Sequence, residues 1–281
     1  MRYVFAMLWA AAACTPTTSE HQRCNLYEAL CDRPVAEVTF AGTHNSMSSA
    51  EEDWFAPNQT FGITQQLEDG IRALMLDTYE QNGELLLCHG MCVLGSKPLS
   101  AGLQEIAGFL DSHPDEVIQI IFQDAIAREA TRDALTEVGL ASRLHVWTPG
   151  SRVTLRELIA SRENLIVGLE SGQSDEEGLH AAWSLWTDTP YSYSDPDQFS
   201  CERLRGEDDN DLFLMNHWLG TPLPSPQNGA VANAGSLLLD RAEDCIDLRG
   251  RPINTLAVDF YDQGDLLDVV NHLNGVGDEQ P

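Results

Sequence analysis

The sequence predicts an α/β fold in which a parallel sheet is connected by crossover helices. Short apolar runs of the length of buried strands recur along the chain, and helical patterns lie between or after several of them. Most of the apolar runs end in polar residues, which meet along one edge of a parallel sheet. A closed barrel and a doubly wound open sheet both fit this order, and 281 residues are within the range of one α/β barrel domain.

The predicted strands are apolar runs bounded by polar or turn-forming residues, as expected of strands that are buried on both faces. They comprise residues 36–42, 71–77, 84–90, 116–124, 164–171, 211–218 and 254–262. The predicted helices comprise residues 63–69, 99–113, 126–139, 154–162 and 264–274. Residues 172–207 show neither pattern, so we expect an irregular segment there.

The charge of the chain restricts its partners. It has 44 acidic and 16 basic residues, for a formal net charge of −28, and Lys97 is its single lysine. A surface of this sign repels phosphate backbones and anionic bilayers, and no basic run interrupts it. The apolar share of 43% is that of a globular protein with an ordinary core. We therefore expect a monomeric globular protein that does not bind nucleic acid.

The amino terminus predicts export. Residues 1–13 combine one basic residue, a short apolar run and small residues, which is the pattern of a signal peptide and too short for a spanning helix. Cys14 follows three alanines, as at a bacterial lipoprotein cleavage site, where the cysteine is lipidated; cleavage after an Ala-x-Ala sequence is the alternative. We expect residues 14–29 to be an exported tail and residues 30–281 to be the folded domain of a periplasmic or outer-membrane lipoprotein or of a secreted protein.

Six further cysteines support an oxidising destination, because an even number in an exported chain is typical of disulfides. They are Cys24, Cys31, Cys88, Cys92, Cys201 and Cys245. Many pairings are open; local loop closure suggests Cys24 with Cys31 and Cys88 with Cys92, which leaves Cys201 for Cys245. The alternative is a zinc site at Cys88, His89 and Cys92, although no second cysteine pair lies at metal-binding spacing.

Two histidines carry the chemistry that the residues suggest. His44 and His89 follow the first and third predicted strands, at the edge where active sites of barrels lie. One imidazole takes a proton from a nucleophile while the other gives one to a leaving group, which suits hydrolysis or phosphoryl transfer. Asn45 and Asp77 add hard oxygen ligands, which favour calcium or magnesium over zinc. Closure of a barrel would bring Asp259 beside His44. There Asp259 would either orient the imidazole by a hydrogen bond or have only a structural role.

Three motifs together resemble the X region of phosphatidylinositol-specific phospholipases C. They are GTHNS at 42–46, GIR leading to LD at 70–77, and CHG at 88–90, in the order and spacing of that family. Later segments at 186–193, 213–218 and 257–266 are similar to secreted members from bacteria, fungi and plants. The resemblance covers roughly residues 30 to 275. It implies a single-domain, distorted TIM (β/α)8-like barrel that cleaves a phosphodiester.

The resemblance assigns roles to the two histidines. It implies that His44 acts on the inositol 2-hydroxyl as general base or stabilises the phosphorane. His89 then stabilises the phosphate or protonates the leaving diacylglycerol oxygen. Attack by the neighbouring hydroxyl gives a cyclic phosphodiester, and intramolecular attack with charge stabilisation supplies much of the rate.

Calcium is the cofactor that the resemblance implies. Metal-dependent members bind it through an asparagine after the first histidine, a Glu-x-Asp on the second strand and a later glutamate. Asn45 and Asp77 match this set, whereas Met75 and Gln123 stand where glutamates are usual. Metal-independent members carry an arginine in place of the aspartate, so this chain is expected to bind calcium, weakly because charged ligands are fewer.

The remaining candidates concern the substrate. Trp186, Asn216 and Tyr261 lie in the similar segments and are predicted to contact a phospholipid or inositol headgroup. Two other functions stay open: a related barrel phosphodiesterase for another lipid or a glycerophosphodiester, and a non-catalytic lipoprotein that binds a headgroup. Both histidines favour an enzyme, and Met75 with Gln123 favours the binder.

Overall fold

A computed structural model describes residues 22–220 and 222–277 of the protein. The strands are β1 (Phe40–Thr43), β2 (Ala73–Gln81), β3 (Glu84–Leu87), β4 (Lys97–Pro98), β5 (Ile118–Asp124), β6 (Leu165–Leu169), β7 (Leu179–Ala181), β8 (Trp186–Asp188), β9 (Leu212–His217) and β10 (Thr255–Val258). The helices are α1 (Ile63–Glu68), α2 (Leu99–Ser112), α3 (Arg128–Glu137), α4 (Leu155–Ser161), α5 (Ala182–Leu185), α6 (Pro226–Ala232), α7 (Gly235–Arg249) and α8 (Leu266–Asn274). The predicted signal peptide and Cys14 lie outside the described residues.

The parallel strands form the wall of a barrel. Their hydrogen-bonded order is β7-β6-β5-β2-β1-β10-β9-β8. β1 pairs with β2 on one side and with β10 on the other, so the first and last barrel strands are neighbours. The order ends at β7 and β8, which the short helix α5 connects. The predicted distorted TIM (β/α)8-like barrel is therefore confirmed, and its opening lies between β7 and β8.

One predicted strand departs from the parallel pattern. β3 pairs antiparallel with β2 through a turn at Asn82 and Gly83, whose φ angles are 55° and 84°. Asn-Gly is a favoured two-residue hairpin turn because both positions require positive φ. β3 and β4 lie off the barrel path. The sequence had predicted that His89 follows the third strand of a parallel sheet, but in the structure it follows a hairpin strand.

Two other regions differ from the sequence prediction. Residues 172–207, expected to be irregular, contain β7, α5 and β8. Helices α6 and α7 occupy residues for which the sequence predicted no element. Both regions lie in the second half of the chain.

Side-chain alternation along the strands divides the core into two layers. Leu74 and Leu76 of β2 pack outward, in one cluster with residues of α1 and α2. Ala73 and Met75 belong to a second cluster that includes inward residues of β5, β6 and β9. Since residues two apart on a strand share a face, Asp77 continues the inner face of β2. It lies at the carboxyl end of the barrel, where the candidate site forms.

Three disulfides join described residues. They are Cys24–Cys31 and Cys88–Cys92, which local loop closure had suggested, and Cys201–Cys245, the pair that was left. The zinc alternative has no thiolate left at Cys88 or Cys92. In the described part of the chain, the helices are too short or too polar to cross a membrane.

Candidate active site

A cavity of about 230 Å³ opens at the carboxyl ends of the barrel strands. It is lined by His44, Asn45, Met75, Asp77, His89, Ile121, Gln123, Glu170, Tyr191, Arg205 and Trp218. Both predicted catalytic histidines and all three predicted metal ligands therefore lie at one cavity. Strand register accounts for part of this set, because Asp77 of β2 pairs directly with Gln123 of β5.

His44 is held from two directions. It follows β1, and its backbone N–H donates to the carbonyl of Val258 at 2.9 Å. Its ring atom Nδ1 lies 2.9 Å from Oδ1 of Asp259, which is 3% exposed. Because a carboxylate only accepts, Nδ1 donates this bond and Nε2 is left to exchange a proton. The Trp218 ring stacks on the imidazole at a centroid distance of 3.9 Å and an interplanar angle of 4°.

His89 lies across the cavity from His44. The centroids of the two imidazoles are 6.4 Å apart and their planes are at 76°. The loop that carries His89 is closed by the Cys88–Cys92 disulfide, and the Cys88 N–H donates to the Asp77 carbonyl at 3.2 Å. His89 is exposed at the cavity edge, and partial desolvation and then the nearby His44 lower its pKa.

Oxygen-bearing side chains cluster beside His44. Asp77 is 6% exposed, and no described residue donates a hydrogen bond to its carboxylate. Burial raises the pKa of Asp77 to about 7; His44 opposes this shift and Glu170 adds to it. Asn45, Gln123 and Glu170 line the same cavity, which gives the hard oxygen donors that calcium prefers. Among the described residues, no group of three or more His, Cys, Asp or Glu side chains is placed to hold a metal ion. The four oxygen donors at this cavity include only two carboxylates, because Asn45 and Gln123 are amides.

Arg205 lines the cavity together with carboxylates. Its Nη2 lies 2.5 Å from Oδ2 of Asp188, and its Nη1 lies 3.1 Å from Oε2 of Glu170. The guanidinium also covers the Trp183 ring, with Cζ 3.7 Å from the ring centroid. Burial raises the pKa of Asp188, and Arg205 opposes that shift. Since carboxylates outnumber this one guanidinium, the wall favours a cation or hydroxyl groups over a free anion.

A family model for the PI-PLC X domain matches residues 30–274. This chain belongs to the PI-PLC X family. PI-PLC X domain-containing protein 1 of Arthroderma benhamiae is 29% identical over 283 residues, which cover 92% of each chain. An Arabidopsis thaliana PI-PLC X domain-containing protein is 27% identical over 273 residues, which cover 86% of this chain and 63% of the relative. A protein of A. benhamiae described as secreted is 27% identical over 296 residues.

Solved structures agree with the barrel. A variant of the phosphatidylinositol-specific phospholipase C of Staphylococcus aureus superposes with a TM-score of 0.59 over 89% of this chain and 95% of its own. The sequence identity is 15%, so this similarity concerns the fold. The family and the fold together give the PI-PLC X protein a phosphodiesterase-type architecture.

Two of the three predicted substrate contacts are fully buried away from the cavity of this PI-PLC X protein. Trp186 fills the barrel interior against Gly168, where an added Cβ would lie 2.8 Å from the indole. Asn216 donates to Oδ2 of Asp188 at 3.1 Å. Neither side chain reaches the cavity, because each is taken up by the barrel interior.

The third predicted substrate contact, Tyr261, is also turned away from the cavity. Its hydroxyl donates to Oδ2 of Asp69 at 2.5 Å, and its side chain packs in the outer core cluster. Tyr191 and Trp218 supply the aromatic lining instead, with ring centroids 6.3 Å apart. Both lie within or beside segments that the sequence had singled out, but strand and loop geometry decides which aromatic ring faces the cavity.

A second, apolar cavity of about 150 Å³ adjoins the first, and His89 lines both. Its wall includes Phe55 and Leu223, which are 63% and 53% exposed. Met91 and Val93, on the disulfide-closed loop, are 62% and 87% exposed. No sequence pattern indicated this apolar rim, because its residues come from three separate segments.

Proposed function

We propose that this PI-PLC X protein is an exported phosphodiesterase of the phospholipase C type that cleaves an inositol phospholipid or a closely related lipid phosphodiester. One observation carries the proposal: two imidazoles face one cavity, 6.4 Å apart between centroids, one bonded to a buried carboxylate and the other at the edge. This asymmetry is what a base and an acid of one displacement require.

The proposed reaction uses the ring nitrogens in sequence. His44 takes the proton of a substrate hydroxyl as its oxygen attacks phosphorus, and Asp259 stabilises the imidazolium that forms. The bond from phosphorus to the leaving oxygen breaks, and protonated His89 gives that oxygen a proton. The product is a cyclic phosphodiester and a free alcohol, and water opens the ring in a later step.

The proposal includes a weak calcium site. Asn45, Asp77 and Gln123 would hold the ion, with Glu170 as a further carboxylate at the same cavity. The fit rests on Asp77, a buried carboxylate that lines the cavity and accepts no hydrogen bond from a described residue. Calcium, when bound, supplies positive charge that stabilises the phosphorane. The low count of carboxylates predicts weaker binding than a site with glutamates at positions 75 and 123.

The apolar cavity beside His89 supports a lipid substrate. In the proposed reaction His89 protonates the leaving alcohol, so the surface next to His89 receives that alcohol. Phe55, Leu94 and Leu223 make this surface apolar, which suits a diacylglycerol better than glycerol or another polar alcohol. A glycerophosphodiester is therefore the less favoured substrate. Headgroup binding without catalysis is the second candidate, which the uncharged residues Met75 and Gln123 favour.

Two observations support export of the protein. The three disulfides are typical of an oxidising compartment, and one relative is described as secreted. Anchoring to a membrane through lipidated Cys14 stays a prediction.

The test is cleavage of phosphatidylinositol by the purified protein, with calcium or with chelator, followed by phosphorus NMR. We expect a cyclic inositol phosphate that depends on calcium and disappears in His44→Ala. His113→Ala is the matched control, because that histidine lies on the outer surface at the end of α2. An inactive wild type on phosphatidylinositol and on a panel of other phosphodiesters would overturn the enzymatic proposal and leave headgroup binding to be measured.

A further inference from the structure

Asn58 lies beside the candidate active site although no motif contains it. It is 2% exposed, in the segment between β1 and α1. Its backbone N–H donates to the Ser48 carbonyl at 3.0 Å, and its carbonyl accepts from the Phe260 N–H at 2.7 Å. The segment after β1 is thereby joined to the loop after β10, and the Asn58 side chain is held between them.

Two of the three polar contacts of the Asn58 amide have a determined hydrogen-bond direction; the third places Nδ2 at 3.5 Å from Nδ1 of His44. Nδ2 lies 3.1 Å from Oδ1 of Asp259, and a carboxylate only accepts, so Asn58 donates there. Oδ1 of Asn58 must then accept, and Nδ2 of Asn45 donates to it at 3.3 Å. The donating end of Asn45 is thus used inside the protein. Its side-chain oxygen Oδ1 receives no hydrogen bond from a described residue, and Asn45 lines the cavity.

We propose that Asn58 is a positioning residue that orients two parts of the site at once. Through Asp259 it fixes the carboxylate that holds His44, and through Asn45 it turns an amide oxygen toward the cavity as a ligand for a hard cation. A reversed Asn45 amide would present N–H groups, which repel a cation. The cation half of this inference rests on the calcium site of the proposed function.

Two substitutions separate orientation from packing. Asn58→Asp keeps the volume and an oxygen that accepts from Asn45, but it removes the donor to Asp259 and places a second carboxylate there. Asn58→Ala removes both hydrogen bonds. The matched control is Asn274→Ala, because the Asn274 amide is also buried and also bonds at both ends, to the N–H and carbonyl of Thr39 beyond the opposite end of β1.

The measurements are calcium affinity by titration calorimetry at one fixed pH, kcat on the lipid substrate, and melting temperature. In Asn58→Ala we expect calcium affinity and kcat each to fall about tenfold or more, as with other residues that orient metal ligands. In Asn58→Asp we expect kcat to fall by a similar factor while calcium affinity stays within about threefold of wild type or rises. Asn274→Ala should lower the melting temperature alone.

Several results would overturn the inference. Equal loss of calcium affinity in Asn58→Asp and Asn58→Ala would contradict the assigned hydrogen-bond directions. If Asn58→Ala fails to fold, a loss of calcium affinity of about tenfold in Asn58→Asp relative to wild type would contradict them as well. Effects of Asn58→Ala on affinity and kcat no larger than those of Asn274→Ala would reduce Asn58 to a packing role. If the wild type turns over substrate without binding calcium, the inference that Asn58 orients Asn45 as a cation ligand is refuted. A wild type that binds calcium but cleaves no phosphodiester would refute the proposed function and not the positioning of Asn45.

Discussion

Asp259→Asn measures what the negative charge beside His44 contributes. In the structure Oδ1 of Asp259 accepts from Nδ1 of His44 at 2.9 Å and from Nδ2 of Asn58 at 3.1 Å. An asparagine has the same shape and offers one carbonyl oxygen to the same two donors, so the ring orientation is kept and the charge is lost. A hydrogen bond to a charged group exceeds a neutral one by about 1 to 2 kcal/mol, which corresponds to about 5- to 30-fold in kcat.

The substitution also has a stability cost that the assay must separate from catalysis. Oδ2 of Asp259 is buried without a described partner, so the new NH₂ group is buried unpaired and lowers the melting temperature. The assay is kcat at saturating substrate, well below the melting temperature, with Asp262→Asn as a control from the same loop. A kcat for Asp259→Asn within twofold of wild type would refute the proposal that His44 is the general base and that Asp259 stabilises its imidazolium.

Three further predictions follow from buried groups and from the disulfide loop. Asp77→Asn should raise the melting temperature at pH 8 by several degrees and hardly change it at pH 4, because a folded pKa of about 7 penalises the ionised carboxylate above the unfolded pKa; calorimetry showing no gain at pH 8 would contradict this. Burial and Arg241 lower the pKa of His217 to about 3, so the unfolding free energy should fall as pH drops from about 6.5 toward 3, and less steeply in His217→Gln by denaturant titration; parallel slopes would count against it. Replacing Cys88 and Cys92 by serine should lower kcat/KM even when it is assayed well below the melting temperature of the variant, because the loop that this disulfide closes carries His89. An unchanged kcat/KM would exclude a role of the disulfide in positioning His89.

The barrel strands were predictable because burial on both faces leaves a local signal. β5 and β6 lie inside the predicted runs 116–124 and 164–171. α7 escaped prediction because its buried face includes a charged residue, Arg241, which donates to the Asn216 carbonyl at 2.8 Å. When a charged residue interrupts the buried face of a helix, the apolar residues alone do not show the helical period.

The strand ending before His89 was predicted in place but not in direction. The Asn82-Gly83 turn is a strong hairpin signal, yet the apolar run after it also fits a buried parallel strand. The orientation of two predicted substrate contacts was not predictable for a related reason. Asn216 lies on a predicted strand, whereas Trp186 lies on β8, in a segment for which no strand was predicted. A shift of one residue along a strand exchanges the faces, and sequence does not show which face points to the cavity.

The sequence by itself determined the fold class, the placement of His44 and Asn45 after the first strand, and Asp77 on the second, because each follows from an apolar run that ends in a local motif. Only the tertiary structure decided the partners of these residues. Asp259 reaches His44 through the pairing of β1 with β10, Asn58 reaches Asp259 from the segment after β1, and Trp218 reaches His44 from the end of β9. Loop paths depend on long-range contacts and carry no periodic signal, so these contacts are absent from any local pattern.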